Sequence, residues 1–376
     1  MAPQSAFTCG SSFHLYSNVI GKKVFGRRVG CCCFPLLLGI ALHVVIFLTS
    51  DAFEEFLTSY IISAYPVGHV ISTNTPTDDT LPWPPSTLFS PSSCLSGSHS
   101  PRLLVLVTCA PSHAAARMAI RESWGLSSHG NMVRFVFVLG LSWSSAEQRG
   151  LEDERVLYGD VLQASFHDTY RNLTLKTMAG LKWALSACPD VAFILKVDDD
   201  VFVNIPALLE TLIGIEDGDF YVGRIHFGVR PVRTPSHKYF DQVYKFERYP
   251  PYCSGTAYAL STEAAKKIMT VALSKAVYLL PMEDVFIGMC AQVANLKPSH
   301  NARFAGGKSI PAWRYCYQHA LTAHHVSPGE MRQAWRSVEH GSPCFALFRP
   351  YIHFGCSVMS LVENIEKHLG FLNADS

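Results

Sequence analysis

Three consecutive carboxylates, Asp198, Asp199 and Asp200, stand in the segment KVDDDVFVN. Adjacent like charges repel and raise each other's pKa values unless something compensates them. A divalent cation with oxygen ligands does so. Asp198 and Asp200 frame a D-x-D, in which one carboxylate grips the metal while its neighbours bond ribose or bridging groups. The metal then offsets the charge of a diphosphate, the leaving group of a nucleotide-activated sugar. The structural alternative is a solvated turn or a helix-capping cluster, and the triplet alone does not choose between them. Its position does more. Val191 to Val197 (VAFILKV) reads as a buried strand running straight into the aspartates, and ligands in open α/β sheets sit at the carboxyl ends of strands.

The elements that position this strand alternate along the chain. Leu103 to Thr108 (LLVLVT) and Arg134 to Leu139 (RFVFVL) are continuous apolar runs of strand length, as in strands buried on both faces. Ser112 to Trp124 reads as a helix with Ser112 as its N-cap. Leu173 to Ala187 reads as a second, amphipathic helix, and Asp284 to Ala294 as another. The alternation predicts an α/β layered fold with order beginning at Arg102.

Upstream, residues 50–101 are rich in Ser, Thr and Pro and are expected to form an unpacked stem. Before them, residues 31–49 (CCCFPLLLGIALHVVIFLT) are uncharged and apolar, long enough to cross a bilayer as a helix. Lys22, Lys23, Arg27 and Arg28 precede this run, and Asp51, Glu54 and Glu55 follow it. The positive-inside rule then keeps residues 1–30 cytosolic and sends the rest to the lumen. A cleaved signal peptide would have a shorter apolar core. Cys31, Cys32 and Cys33 are read as small apolar residues, with palmitoylation as the alternative. The scattered later cysteines, such as Cys94, Cys188, Cys316 and Cys356, suit an oxidising lumen. A net charge of +1 gives no bulk basic field for nucleic acid.

Six blocks in order resemble the β-1,3-galactosyltransferase and β-1,3-N-acetylglucosaminyltransferase family (glycosyltransferase family 31). They are ARMAIRESW (116–124), FHDTYRNLTLKT (166–177), FILKVDDDVFVN (193–204), YPPYCSGTAYALS (249–261), EDVFIGMC (283–290) and AHHVSPGEM (323–331). The resemblance implies a GT-A fold, a Rossmann-like mixed sheet flanked by helices, over residues 102–340. It implies manganese, inversion at the anomeric carbon, and a type II Golgi membrane location with a luminal catalytic domain. The tail 341–376 extends beyond the matching blocks, and its Met359 to Leu369 stretch has helical spacing.

Residue by residue, the resemblance makes Asp284 the base and Asp200 with His324 the metal ligands, although His319 and His325 stand close by. Asp198, Asp199 and Gly255 fall to the donor. Arg117 and Arg121 share one helix face and are read as donor contacts, or else as a solvated face or an ion pair with Glu122. Glu283, Tyr252 and Trp313 are acceptor candidates; the aromatics have a core reading beside that one. Lys176 is read as a surface lysine. Asn172-Leu173-Thr174 is an N-glycosylation sequon. The CSGT loop favours UDP-galactose over UDP-N-acetylglucosamine, while the family usually has glycine where Ala257 stands. The acceptor would be a glycan on glycoprotein or glycolipid. A non-catalytic luminal binding protein on the same fold is the remaining alternative, which the intact acids oppose.

Overall fold

The computed structural model describes residues 29–64, 83–94, 100–125, 132–213, 218–307, 310, 314–339 and a few positions between 351 and 359. It divides into two units, Met1–Val45 and Ile46–Ser376. A helix, α1, covers Val29–Leu48, in the apolar run expected to be helical. Its side chains are described only from Leu38 onward. Among the described residues no helix is long and apolar enough to cross a membrane. The basic flank at Lys22–Arg28 lies outside the described residues, as do the side chains of Cys31–Cys33.

The second unit begins with α2 (Asp51–Ser63) and β1 (Thr87–Phe89). The alternating core follows: β2 (Leu103–Thr108), α3 (Ala114–Arg121), β3 (Val133–Leu141), α4 (Ser145–Tyr158), β4 (Val161–His167), α5 (Leu173–Ala187) and β5 (Phe193–Asp198). Then come β6 (Phe202–Val203), α6 (Ile205–Ile213), β7 (Tyr221–His226), β8 (Tyr252–Ser261), α7 (Thr262–Leu273) and α8 (Glu283–Val293). The last elements are β9 (Pro298–His300), α9 (Arg314–His319), β10 (Thr322–Ala323) and α10 (Pro328–Glu339).

Eight strands form one mixed sheet in the order β1-β4-β3-β2-β5-β8-β7-β9. β2 pairs in parallel with both β3 and β5, and its last residue, Thr108, lies level with Asp198. β8 turns antiparallel against β5. Side chains alternate between the two faces. Leu104, Leu106 and Ile194 pack with Met178 of α5, Ile268 of α7 and Phe286 of α8. Leu103, Val105 and Leu195 pack with Ile120 of α3, Leu208 of α6 and Trp335 of α10. Both faces are therefore covered, which is why the strands read as unbroken apolar runs.

Residues 50–101 depart from the stem expectation at both described ends. Ser50 caps α2 by accepting from the Phe53 N–H at 3.3 Å. The acids behind the apolar run face the domain. Asp51 meets His319 at 2.6 Å, Glu54 pairs with Arg224 and with His300 at 3.3 Å, and Glu55 accepts from Ala302 N at 3.0 Å. Further on, Trp83 donates from its indole to Ala272 O at 3.0 Å, β1 extends the sheet beside β4, and Cys94 is bridged to Cys188. Order thus starts well before Arg102. The polar composition hides it, because these contacts are single long-range pairs with no period. At the other end Cys356 is bridged to Cys316, while Cys344 and most of Met359–Leu369 lie outside the described residues.

Cutting the chain at Ser100 therefore removes a sheet strand and a disulfide that closes a 94-residue separation. A loop of that size is worth about 3–5 kcal/mol. Thermal denaturation should show a chain starting at Ser100 melting several degrees below one starting at Ser50; equal melting would mean that residues 50–99 do not hold the domain.

Candidate active site

The site is built around the carboxyl ends of β2 and β5. Thr108 donates from its hydroxyl to Asp198 Oδ1 at 2.7 Å. Lys196, two residues earlier on β5, is 3% exposed. Its ammonium donates to Asp198 Oδ1 at 2.6 Å and to the Gly255 carbonyl, and lies 3.6 Å from Glu283 Oε2. Burial works against the ammonium, but the charges of Asp198 and Glu283 reverse that effect and hold its pKa above the usual lysine range.

α8 opens with two adjacent acids in different surroundings. Glu283 is buried and accepts from the Tyr258 hydroxyl at 2.5 Å. Burial pushes its pKa up to about 7, against the pull of Lys196 and with the push of Asp284. Asp284 is half-buried. Its Oδ2 accepts from Gly255 N at 3.1 Å and its Oδ1 from Val285 N at 2.9 Å. Burial still raises its pKa despite those two donors. A Cβ on Gly255 would come within 3.2 Å of Asp284 Oδ2. The close approach expected of Gly255 is therefore to this carboxylate.

The third aspartate belongs to a different group. β6 pairs with β10, placing Phe202 opposite Ala323, and Val326 N donates to the Asp200 carbonyl at 2.9 Å. This brings Asp200 Oδ2 within 3.3 Å of His324 Nε2 and 3.6 Å of His325 Nδ1. The ligand atoms of the three residues lie within 4.8 Å of one another. Burial acts to raise the Asp200 pKa, but the bond and charge of His324 outweigh it and the net shift is downward. An ionised, half-exposed carboxylate beside two imidazoles fits a divalent first-row cation. His324 Nδ1 is buried without a partner. His319 is not part of the group; it is bonded to Asp51. Asp199 is bonded elsewhere again, to His113 Nδ1 at 2.8 Å.

Several sequence expectations need correction. All five N–H donors of the Arg117 guanidinium face Glu154, the carbonyls of Ala110 and Pro111, or Cys109 Sγ. Arg121 is held by Asp160 and Glu154. The pair locks α3 to α4 and to the start of β4, so neither arginine is open to a donor; Glu122 pairs instead with Arg332. Lys176 is buried and joins Asp168 Oδ1 at 2.8 Å to the Cys109 carbonyl at 2.7 Å. Glu283 and Tyr252 are buried and offer nothing to an acceptor from solvent. Trp313 lies outside the described residues. Asn172 Nδ2 donates to His167 O at 2.8 Å at the surface, and Thr174 of the same sequon is buried.

Other residues escaped the sequence reading. Lys196 was hidden inside an apolar strand, where a charged residue two places before the acids was the only signal. The structure adds His226, whose pKa burial lowers, and Tyr170, whose pKa burial and its bond to Tyr239 raise. Tyr170 is 52% exposed and lies 6.4 Å, centroid to centroid, from Tyr239.

A family model described as Galactosyltransferase matches residues 115–302. The chain is 38% identical to beta-1,3-galactosyltransferase 4 of Rattus norvegicus over 340 residues, covering 81% of this chain and 89% of the relative. It is 33% identical to beta-1,3-galactosyltransferase 9 of Homo sapiens over 71% of this chain and 74% of that one. A solved structure of the galactosyltransferase LgtC with donor and acceptor sugar analogs aligns at TM-score 0.36 and 13% identity, covering 65% of this chain and 99% of that one.

Glu283 supplies a pH test. Between its ordinary pKa of 4.5 and about 7, the folded chain holds a proton that the unfolded chain has released. This contribution to stability is full below pH 4.5 and is lost as pH rises through 7. Its size is on the order of 3 kcal/mol. Urea unfolding of Glu283→Gln across that range should show a much shallower decline than the wild type; a wild-type slope in the variant would assign the titration elsewhere.

Proposed function

The chain belongs to the galactosyltransferase family, and from that premise we propose that it transfers galactose from UDP-galactose to the 3-hydroxyl of an acceptor glycan in β-1,3 linkage. The observation that carries this reading is the junction at Gly255. Its N–H holds Asp284, while its carbonyl and Asp198 share the ammonium of Lys196. A reachable carboxylate is thereby fixed beside the strand-end acids.

Asp284 is the base. As the acceptor oxygen attacks the anomeric carbon, Asp284 takes its proton and UDP departs from the opposite face, so the configuration inverts. The raised pKa of Asp284 makes it a better proton acceptor than an ordinary aspartate. Gly255 N and Val285 N fix the direction of its two oxygens. Glu283 stays in the core and holds Tyr258 and Lys196 in place. Asp200 and His324, with His325 alongside, would hold a manganese ion, which when bound offsets the charge of the departing diphosphate. Tyr170 and Tyr239, in place of the buried Tyr252, offer an exposed aromatic surface to an acceptor sugar.

The relatives' names and the CSGT loop support galactose as the donor sugar. The apolar run 31–49 and its flanking charges support a type II membrane protein of the Golgi with a luminal domain and a glycoprotein or glycolipid acceptor.

A chain starting at Ser50 should transfer galactose from a panel of UDP-sugars with manganese, and lose this activity with EDTA. Preference for UDP-N-acetylglucosamine would overturn the donor assignment, and a folded chain that bound no UDP would overturn catalysis. Asp284→Asn should keep donor affinity and lose about 10²–10⁴-fold in turnover, and Asp200→Ala should lose metal-dependent UDP-sugar binding. Near-normal turnover in the first, or full transfer in the second, would remove that residue from its role. In the wild type, turnover should fall on acidification at a pH above the usual aspartate range, because Asp284 must be ionised.

A further inference from the structure

The turn after β5 and the loop between β2 and α3 together carry a second set of ligands. Cys109 Sγ, a nitrogen of His113 and a carboxylate oxygen of Asp199 lie within 4.8 Å of one another. Cys109 follows β2 directly, and His113 precedes α3, so the loop between these elements delivers both. We propose that Cys109, His113 and Asp199 form a zinc site beside the donor-binding turn, and that zinc held there inhibits the manganese-supported reaction. The inhibition rests on the functional reading above; the metal site does not.

The donor set separates the two metals. Thiolate sulfur with imidazole and carboxylate suits zinc, whereas the sulfur-free Asp200 group suits a harder cation. Cys109 is a free thiol, 1% exposed. Its sulfur lies 3.4 Å from the Ala110 carbonyl and accepts at 3.4 Å from Arg117 Nη1. Zinc binding replaces the thiol proton, which passes to solvent, and the guanidinium stays beside the thiolate so formed. The charge of Arg117 is already met by Glu154, so the sulfur is not left among uncompensated cations. His113 has a side chain 54% exposed, which gives the ion a path inward. His113 Nδ1 and Asp199 Oδ2, now 2.8 Å apart, need to part by roughly half an ångström to take tetrahedral zinc bonds. Three protein ligands leave the fourth position open. Among the described residues, the other free cysteines, Cys253 and Cys290, are buried and belong to no such group.

Asp199 and Asp200 are consecutive, so the two cations would sit on neighbouring residues and repel. Zinc would then weaken manganese binding, and manganese would weaken zinc binding by the same factor.

Cobalt(II) is the direct probe, because a bound thiolate gives it a sulfur-to-cobalt charge-transfer absorption. Titrated into the full chain in detergent, cobalt should produce that band in the wild type and in Asp200→Ala, and not in Cys109→Ser. His113→Ala should weaken cobalt binding by more than about 100-fold, since even partners that only orient a ligand contribute 10–100-fold. Zinc should displace the cobalt band. It should also inhibit transfer with manganese present, and Cys109→Ser should raise the half-inhibiting zinc concentration at least tenfold. No band in a folded wild type, or an unchanged band in Cys109→Ser, would overturn the site. A normal band with zinc-insensitive transfer would overturn the inhibition alone. Since the band needs no turnover, loss of the functional reading would leave the metal site standing.

Discussion

One buried ammonium organises the catalytic edge of this protein. Lys196 lies within an otherwise apolar strand, yet Asp198, Glu283 and the Gly255 carbonyl all converge on it. Leaving Lys196 buried and unpaired among them would cost several kcal/mol. The interaction ties β5 to β8 and to the first turn of α8. Lys196 lies directly opposite Tyr258 across the β5–β8 pair, and Tyr258 bonds the same glutamate. A slip of one residue in that register would turn Tyr258 to the other face and leave Glu283 without its hydroxyl donor. The position of Asp284 follows from this closed network.

The loops at the same edge are held by separate clamps. Arg117 and Arg121 bind Glu154 and Asp160. Lys176 joins α5 to the Cys109 carbonyl, and its partner Asp168 also accepts from Gly140 N at 2.8 Å. These ties fasten the ends of β2 and β3 to the surrounding helices. The arginines read as donor contacts and the lysine read as a surface residue thus act as scaffolding. Charge alone could not reveal this, because a basic residue meant for a phosphate and one meant for a buried carboxylate look the same in a sequence.

What the sequence disclosed was whatever repeats or clusters locally. The apolar runs at Leu103–Thr108 and Arg134–Leu139 became β2 and most of β3, and the helix over Leu173–Ala187 kept its bounds. Asp200 and His324, paired on motif evidence, do meet. The misses depend on contacts far apart in the chain. α2 docks through single pairs more than 160 residues distant, such as Glu54 with Arg224. Ser112 failed as an N-cap because the helix starts later, after His113, which makes no capping bond and turns to Asp199 instead. Glu283 and Asp284 are adjacent acids of the same kind, and only the packing beneath α8 tells them apart.

That last pair shows how the fold assigns roles. Successive residues on a helix point about 100° apart, so at the start of α8 one carboxylate enters the core while the next stays partly exposed. Both gain from the helix dipole, and burial raises both pKa values. Glu283 spends its oxygens on Tyr258 and Lys196, and solvent does not reach it. Among the described residues Asp284 accepts backbone N–H groups alone, one on each oxygen, which leaves lone pairs on both. Exchanging the two side chains would therefore not exchange their functions. A glutamate at the second position would carry its carboxylate beyond the reach of Gly255 N, and an aspartate at the first would fall short of Tyr258 and Lys196.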